Sequence, residues 1–219
     1  MKRGFTLVEM LVVMGIIAVL MAVSMMGYSK MTASAERARE QELVSNVATA
    51  LTALFQDEGS WPKRLAQNGG TDGRLDARTA YALVAGEKKY ITLSTSNGEL
   101  SGYDRFGIVT TWAQQRIKAL GTTANLGSKV ANMGTVSDHI LHYALDLDGD
   151  GLIENASVGG ASVSVRATAI VWSCGKDGVV SPYSVSGRSS GGRGQNETSS
   201  SGRNEDIYSW APGQTRNVK

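Results

Sequence analysis

Apolar positions crowd the start of the chain and thin out after it. Behind Glu9 comes a charge-free run over residues 10–29. At 1.5 Å per residue, such a run makes a helix about 30 Å long, the thickness of bilayer hydrocarbon. The pattern therefore predicts a membrane-spanning segment over about 5–29. Lys2 and Arg3 precede it, and no further basic residue comes until Lys30. That asymmetry predicts a cytoplasmic start with the bulk of the chain on the other side.

The helix has no reason to stop at residue 29. Residues 28–58 contain neither glycine nor proline, and both are the usual breakers. Leu43, Val47, Ala50, Leu51, Leu54 and Phe55 recur at three- and four-residue spacings, which puts them on one face of a helix. Glu36, Arg39 and Glu40 read as a wetter turn ahead of that face. Gly59-Ser60-Trp61-Pro62 ends the run, so one long helix is predicted over 5–58.

The remainder reads as a small domain over 59–219. Its first part, 63–80, is polar and rich in turn signals. Short helices are predicted over 77–85 and 112–120, and strands over 90–94, 142–147 and 163–172. Gly151 and Gly159-Gly160 mark turns around 152–158. The expected fold is α+β, a long N-terminal helix packed against a small antiparallel sheet that buries one side of each strand. Residues 186–203, a Ser/Gly/Arg/Asn stretch without an apolar anchor, are expected to be mobile.

The long apolar run exceeds that of a secretory signal, and the small residues Ala33-Ser34-Ala35 lie beyond it. That leaves an uncleaved anchor or a peptide cut in an unusual place. Glu9 bears on the choice. An acidic side chain at mid-membrane costs about 2.5–3.5 kcal/mol on insertion scales, so an ionisable group there marks function.

Lys2-Arg3-Gly4-Phe5-Thr6-Leu7-Val8-Glu9-Met10-Leu11 resembles the processing and methylation motif of type IV prepilins and of the pseudopilins of type II secretion. The resemblance implies that a prepilin peptidase cuts after Gly4, removing a leader of residues 1–4, and methylates the new amino group of Phe5. It also implies that Glu9 pairs with the Phe5 amine of a neighbouring subunit during assembly. Such pairing neutralises a buried anion and sets the stagger between subunits. Many members carry a proline where this chain has Met26, so the usual bend is not expected. Three C-terminal stretches, 143–151, 171–178 and 204–207, are similar to major pseudopilin domains, whereas 63–138 matches no pattern.

Removing Lys2 and Arg3 from the 22 basic residues leaves 20, equal to the 20 acidic ones. The mature side-chain charge is near zero, and composition gives no case for a nucleic-acid partner. Cys174 is the only cysteine, so no internal disulfide can form.

Asp146, Asp148 and Asp150 alternate and are followed by Gly151. This copies the first half of an EF-hand calcium loop, with Leu152 offering a carbonyl at position 7 and Glu154 at position 9. Position 12 is Ser157 rather than Glu, so a further ligand would have to come from elsewhere; the alternative is a solvated acidic turn. The family resemblance implies a second calcium site using Asp177 and Asp206. A metal clip suits a domain without disulfides.

Other signals carry less. His139 and His142 with Asp146 do not make a zinc group, because a three-residue spacing in a strand sends side chains to opposite faces. Cys174 has neither a cysteine partner nor a histidine motif that would make it a nucleophile. Arg188, Arg193 and Arg203 lie in the loose loop, and Asn196-Glu197-Thr198 has glycosylation spacing.

The expected function is structural: a subunit of a homopolymeric type IV pilus-like or type II secretion pseudopilus-like filament, not an enzyme. The resemblance implies a single-pass protein held in the inner membrane, its C-terminal domain periplasmic, before it joins a periplasmic or cell-surface filament. Its partners would be the prepilin peptidase, an assembly-platform membrane protein and minor pilins or pseudopilins. A surface-adhesion pilin, a DNA-uptake pilin and a membrane-anchored extracellular enzyme are the alternatives.

Overall fold

The computed structural model describes residues 7–84, 88–91, 106–130, 133–180, 206–210 and 215–216, leaving aside the side chains at 23–30, 122 and 215–216. Gly4, Phe5, the stretch 186–203 and most of the strand expected over 90–94 lie outside the described residues. The chain divides into two compact units, Met1–Ala38 and Arg39–Lys219.

Helix α1 is continuous over Leu7–Glu58, as the absence of breakers predicts. It stops where expected. Gly59 takes φ 66° and its N–H returns to the Phe55 carbonyl at 2.8 Å, the left-handed cap that glycine forms without a Cβ penalty. Pro62 then sits at the N-cap of α2, Lys63–Asn68.

In the first unit, the described side chains of α1 are exposed on every side between Leu7 and Ala22. Leu7 is 80% exposed and Met21 67%. The expectation of a membrane-spanning first half is corrected here: among the described residues, no helix is long and apolar enough to cross a membrane. Helix α1 runs on without a break past Met31 into Glu36, Arg37 and Arg39, so the apolar stretch is part of a longer helix of mixed character. The single-pass placement in the inner membrane rested on that span and falls with it.

The second unit is α+β. Besides α2 it holds α3 (Tyr81–Val84) and α4 (Thr111–Leu120), with short 3-10 turns at Gly121–Thr123 and Val136–His139. Among the described residues, seven strands are found in chain order: β1 Gly73–Arg74, β2 His142–Leu145, β3 Ile153–Val158, β4 Ala161–Val165, β5 Ala169–Ser173, β6 Ile207–Tyr208 and β7 Thr215–Arg216. They form two antiparallel sheets, β1-β2-β5-β6 and β3-β4-β7.

The single sheet buried on one side is therefore not what forms. The central strands are buried on both faces. Tyr143, Leu145, Ala169 and Val171 join the core that contains Leu43, Val44, Val47, Leu51 and Leu54 of α1. Ala144, Ile170 and Trp172 point the other way, into a second core with Ile153, Val158, Val163 and Val165. The register pairs Tyr143 with Val171 and Ala144 with Ile170, so each face carries matched apolar partners. The strand expected over 163–172 is two strands in different sheets, broken at 166–168.

Close approach fixes one glycine. Gly107 has φ 94°, and a Cβ there would meet the Leu75 carbonyl oxygen at 2.1 Å. Only glycine lets the chain enter the core beside Leu75 at that point.

Candidate functional site

The acidic loop connects β2 to β3. Asp146 leaves the end of β2 almost fully buried, and its carboxylate closes the loop. Oδ1 accepts the Gly149 N–H at 2.7 Å and Oδ2 the Gly151 N–H at 2.8 Å. Asp150 Oδ1 accepts the Leu152 N–H at 2.7 Å. Gly149 and Gly151 have φ 79° and 77°, so the loop needs glycine at both, including the position that an EF-hand reserves for it. On the other side, the Trp61 indole Nε1 donates to the Asp146 carbonyl at 2.5 Å, tying the loop to the turn that ends α1.

Asp146, Asp148 and Asp150 each bring one carboxylate oxygen within 4.8 Å of the others. Among the described residues this is the group of three or more acidic, histidine or cysteine side chains able to hold a metal. The donor set is all oxygen, which suits a hard divalent cation rather than zinc. Three such carboxylates repel one another unless a cation compensates them. The triad is thus able to coordinate a divalent cation. Glu154 stands exposed in β3 and does not join the group, while Leu152 lies at the loop's exit, half-buried.

Of the second expected pair, Asp177 is exposed and its Oδ1 accepts the Val179 N–H at 3.0 Å, whereas Asp206 is buried. Neither belongs to the acidic group. Glu9 lies in the first turn of α1 with its side chain exposed, where a carboxylate interacts favourably with the helix dipole.

The histidines are structural. His139 is fully buried; its Nδ1 lies 3.2 Å from Thr110 Oγ1 and 3.7 Å from Cys174 Sγ, and its Nε2 meets the Met133 carbonyl. Burial holds its pKa below the usual range. His142 Nδ1 pairs with Asp72 Oδ1 at 2.6 Å, and its ring stacks on Trp172 with centroids 5.6 Å apart. Cys174 is fully buried, and burial, followed by the charges of Glu40 and Asp206, pushes its thiol well above the usual range. Such a thiol is unreactive.

Glu40 departs most from expectation. Instead of a wet turn, it occupies a fully buried position. Its Oε2 accepts both the N–H and the hydroxyl of Thr111, each at 2.6 Å, so it grips the first turn of α4. The signal was present in the sequence: Glu40 is three residues before Leu43 and four before Val44, in phase with the buried face.

Residues 1–25 match the family model described as the prokaryotic N-terminal methylation motif. Among similar proteins, the type IV major pilin protein PilE1 of Neisseria gonorrhoeae is 26% identical over 107 residues, which is 47% of this chain and 65% of that protein. The fimbrial protein EcpC of Eikenella corrodens is 25% identical over 127 residues, 58% of this chain and 78% of that protein. A fimbrial protein of Neisseria meningitidis is 26% identical over 107 residues, 47% of this chain and 62% of that protein. The chain thus spans less than two thirds of the gonococcal and meningococcal relatives. No solved structure is a significant match. The N-terminal motif together with these pilin and fimbrial relatives supports a type IV pilin-like assignment.

Proposed function

We propose that the mature chain is a structural subunit of a type IV pilus-like filament. One observation carries this reading: a prepilin-type N-terminal motif leads directly into a helix whose apolar side chains are exposed all round. A helix apolar on every side requires a cover, and in this reading the cover is the same helix of neighbouring subunits. The relatives, which are pilins and fimbrial proteins by name, support a non-catalytic, filament-forming role.

In this reading a prepilin peptidase cuts after Gly4 and methylates Phe5. Glu9 then pairs with the Phe5 amine of an adjacent subunit. An assembly-platform protein and minor pilins would complete the machinery. The leader would be residues 1–4, the helix 5–58 and the domain 59–219. Calcium would occupy the Asp146–Asp148–Asp150 triad, with the Leu152 carbonyl as a further ligand and the rest of the shell supplied from elsewhere; the all-oxygen donor set supports this cation.

Deleting the gene tests the function. Filaments of this subunit should vanish from electron micrographs and return on complementation, with the protein recovered from sheared filaments. Unaltered filaments lacking the protein would contradict the reading.

A further inference from the structure

The Glu40 carboxyl is a charge-bearing group with no compensating charge among the described residues. Its Oε2 is engaged by Thr111. Its Oε1 is buried without a hydrogen-bond partner among the described residues, and so is the hydroxyl of Ser173 in β5. Ser173 lies close enough to favour the ionised form slightly, although the two atoms are not at hydrogen-bonding geometry. A buried polar pair of this kind requires an explanation.

Among the described residues, the groups named around it supply no cation. From α4 come only the Thr111 N–H and hydroxyl. From the end of β5 come Ser173 and the thiol of Cys174, which feels Glu40 electrostatically. Asp206, beside β6, and Asp177 act on the same thiol, and both are acidic. Burial lowers the pKa of His139 and so disfavours its charged form. Among the described residues Glu40 makes no ion pair. Burying an uncompensated carboxylate is costly, and a side chain in that position takes up a proton instead. A protonated Oε1 is a donor and Ser173 Oγ an acceptor, so a rotation of either side chain can then pair the two orphaned atoms.

We propose that Glu40 is a pH-sensitive latch: it enters the folded domain as the neutral carboxylic acid, joining α1 to the first turn of α4, and its ionisation loosens α4. Burial raises its pKa, opposed by the Thr111 hydrogen bonds. For a carboxyl raised in the folded state, the stabilisation is complete below the usual carboxylate range, near 4.5. It is lost as pH rises through the folded value. His139, lowered by burial, works in the opposite sense, losing stability as pH falls through its folded value. Only Glu40 substitution removes the alkaline decline.

Urea unfolding of the full chain across about pH 4.5 to 8 separates the cases. The wild type should lose about tenfold in its folding constant per pH unit between the usual and the raised pKa. E40Q, neutral and nearly isosteric, should lack that decline and match or exceed the wild type at neutral pH. E40A should be less stable at every pH, since it strands the Thr111 donors. A direct readout is the 13C titration of the Glu40 carboxyl, expected above the other glutamates. A midpoint at or below theirs, or E40Q clearly weaker than wild type at neutral pH, would overturn the latch.

Discussion

Glu9→Ala should abolish filaments while leaving the amount and folding of the subunit unchanged. The expected effect is large because of where the side chain would sit after assembly. Residues 10–22 present apolar side chains on all sides, so packing them together removes Glu9 from water. Breaking a buried ion pair by deleting one partner costs about 3–5 kcal/mol. That corresponds to roughly a hundredfold or more in association at each contact. The loss recurs at every subunit, and the partner amine is left buried and unpaired. Filament mass per cell, measured by shearing and immunoblotting, reads the effect, and circular dichroism of the purified variant checks that the fold survives. Glu9→Gln should fail almost as badly, since it keeps the shape but not the charge. Normal filaments from either variant would show that subunits need no such pair.

Calcium should raise the thermal stability of the purified protein, and a chelator should reverse the rise. The cation binds only the state in which Asp146, Asp148 and Asp150 are gathered, so its free energy of binding adds to folding. At a hundredfold excess over Kd the gain is about 2.7 kcal/mol. Magnesium should do less, because three carboxylates on a short loop do not form the rigid octahedron it prefers. Asp148→Asn should remove most of the calcium response without harming the calcium-free protein, as Asp148 is exposed. Asp146→Asn should also weaken the calcium-free fold, because that carboxylate closes the loop through Gly149 and Gly151. An identical melting temperature with calcium and with chelator, and no calcium by elemental analysis, would reduce the triad to a solvated turn.

The sequence was most legible where one signal dominated. The end of α1 at Glu58 follows from Gly59 and Pro62, and α4 and β2 lie where a short helix over 112–120 and a strand over 142–147 are expected. The two-layered sheet was not legible. In Val163, Val165, Ala167 and Ala169 the alternation stays in phase across the break at 166–168, so a period of two cannot reveal that the chain changes sheet. Strands β1, β6 and β7 are two residues long and carry no period at all. A charge-free run suggests a membrane span, but among the described residues no helix is long and apolar enough to cross a membrane. At the acidic loop, spacing correctly gathered three carboxylates, but it also included Glu154, which β3 carries away from them. Glu40 was misjudged because charge was read as a sign of exposure; its helical phase with Leu43, Val44 and Val47 pointed inward.

Intact mass of subunits taken from native filaments tests the central claim most directly. A chain lacking residues 1–4 and carrying one added methyl group on Phe5 is the predicted form. Recovery of the chain still beginning at Met1, or of an unmethylated Phe5 in assembled filaments, would contradict it.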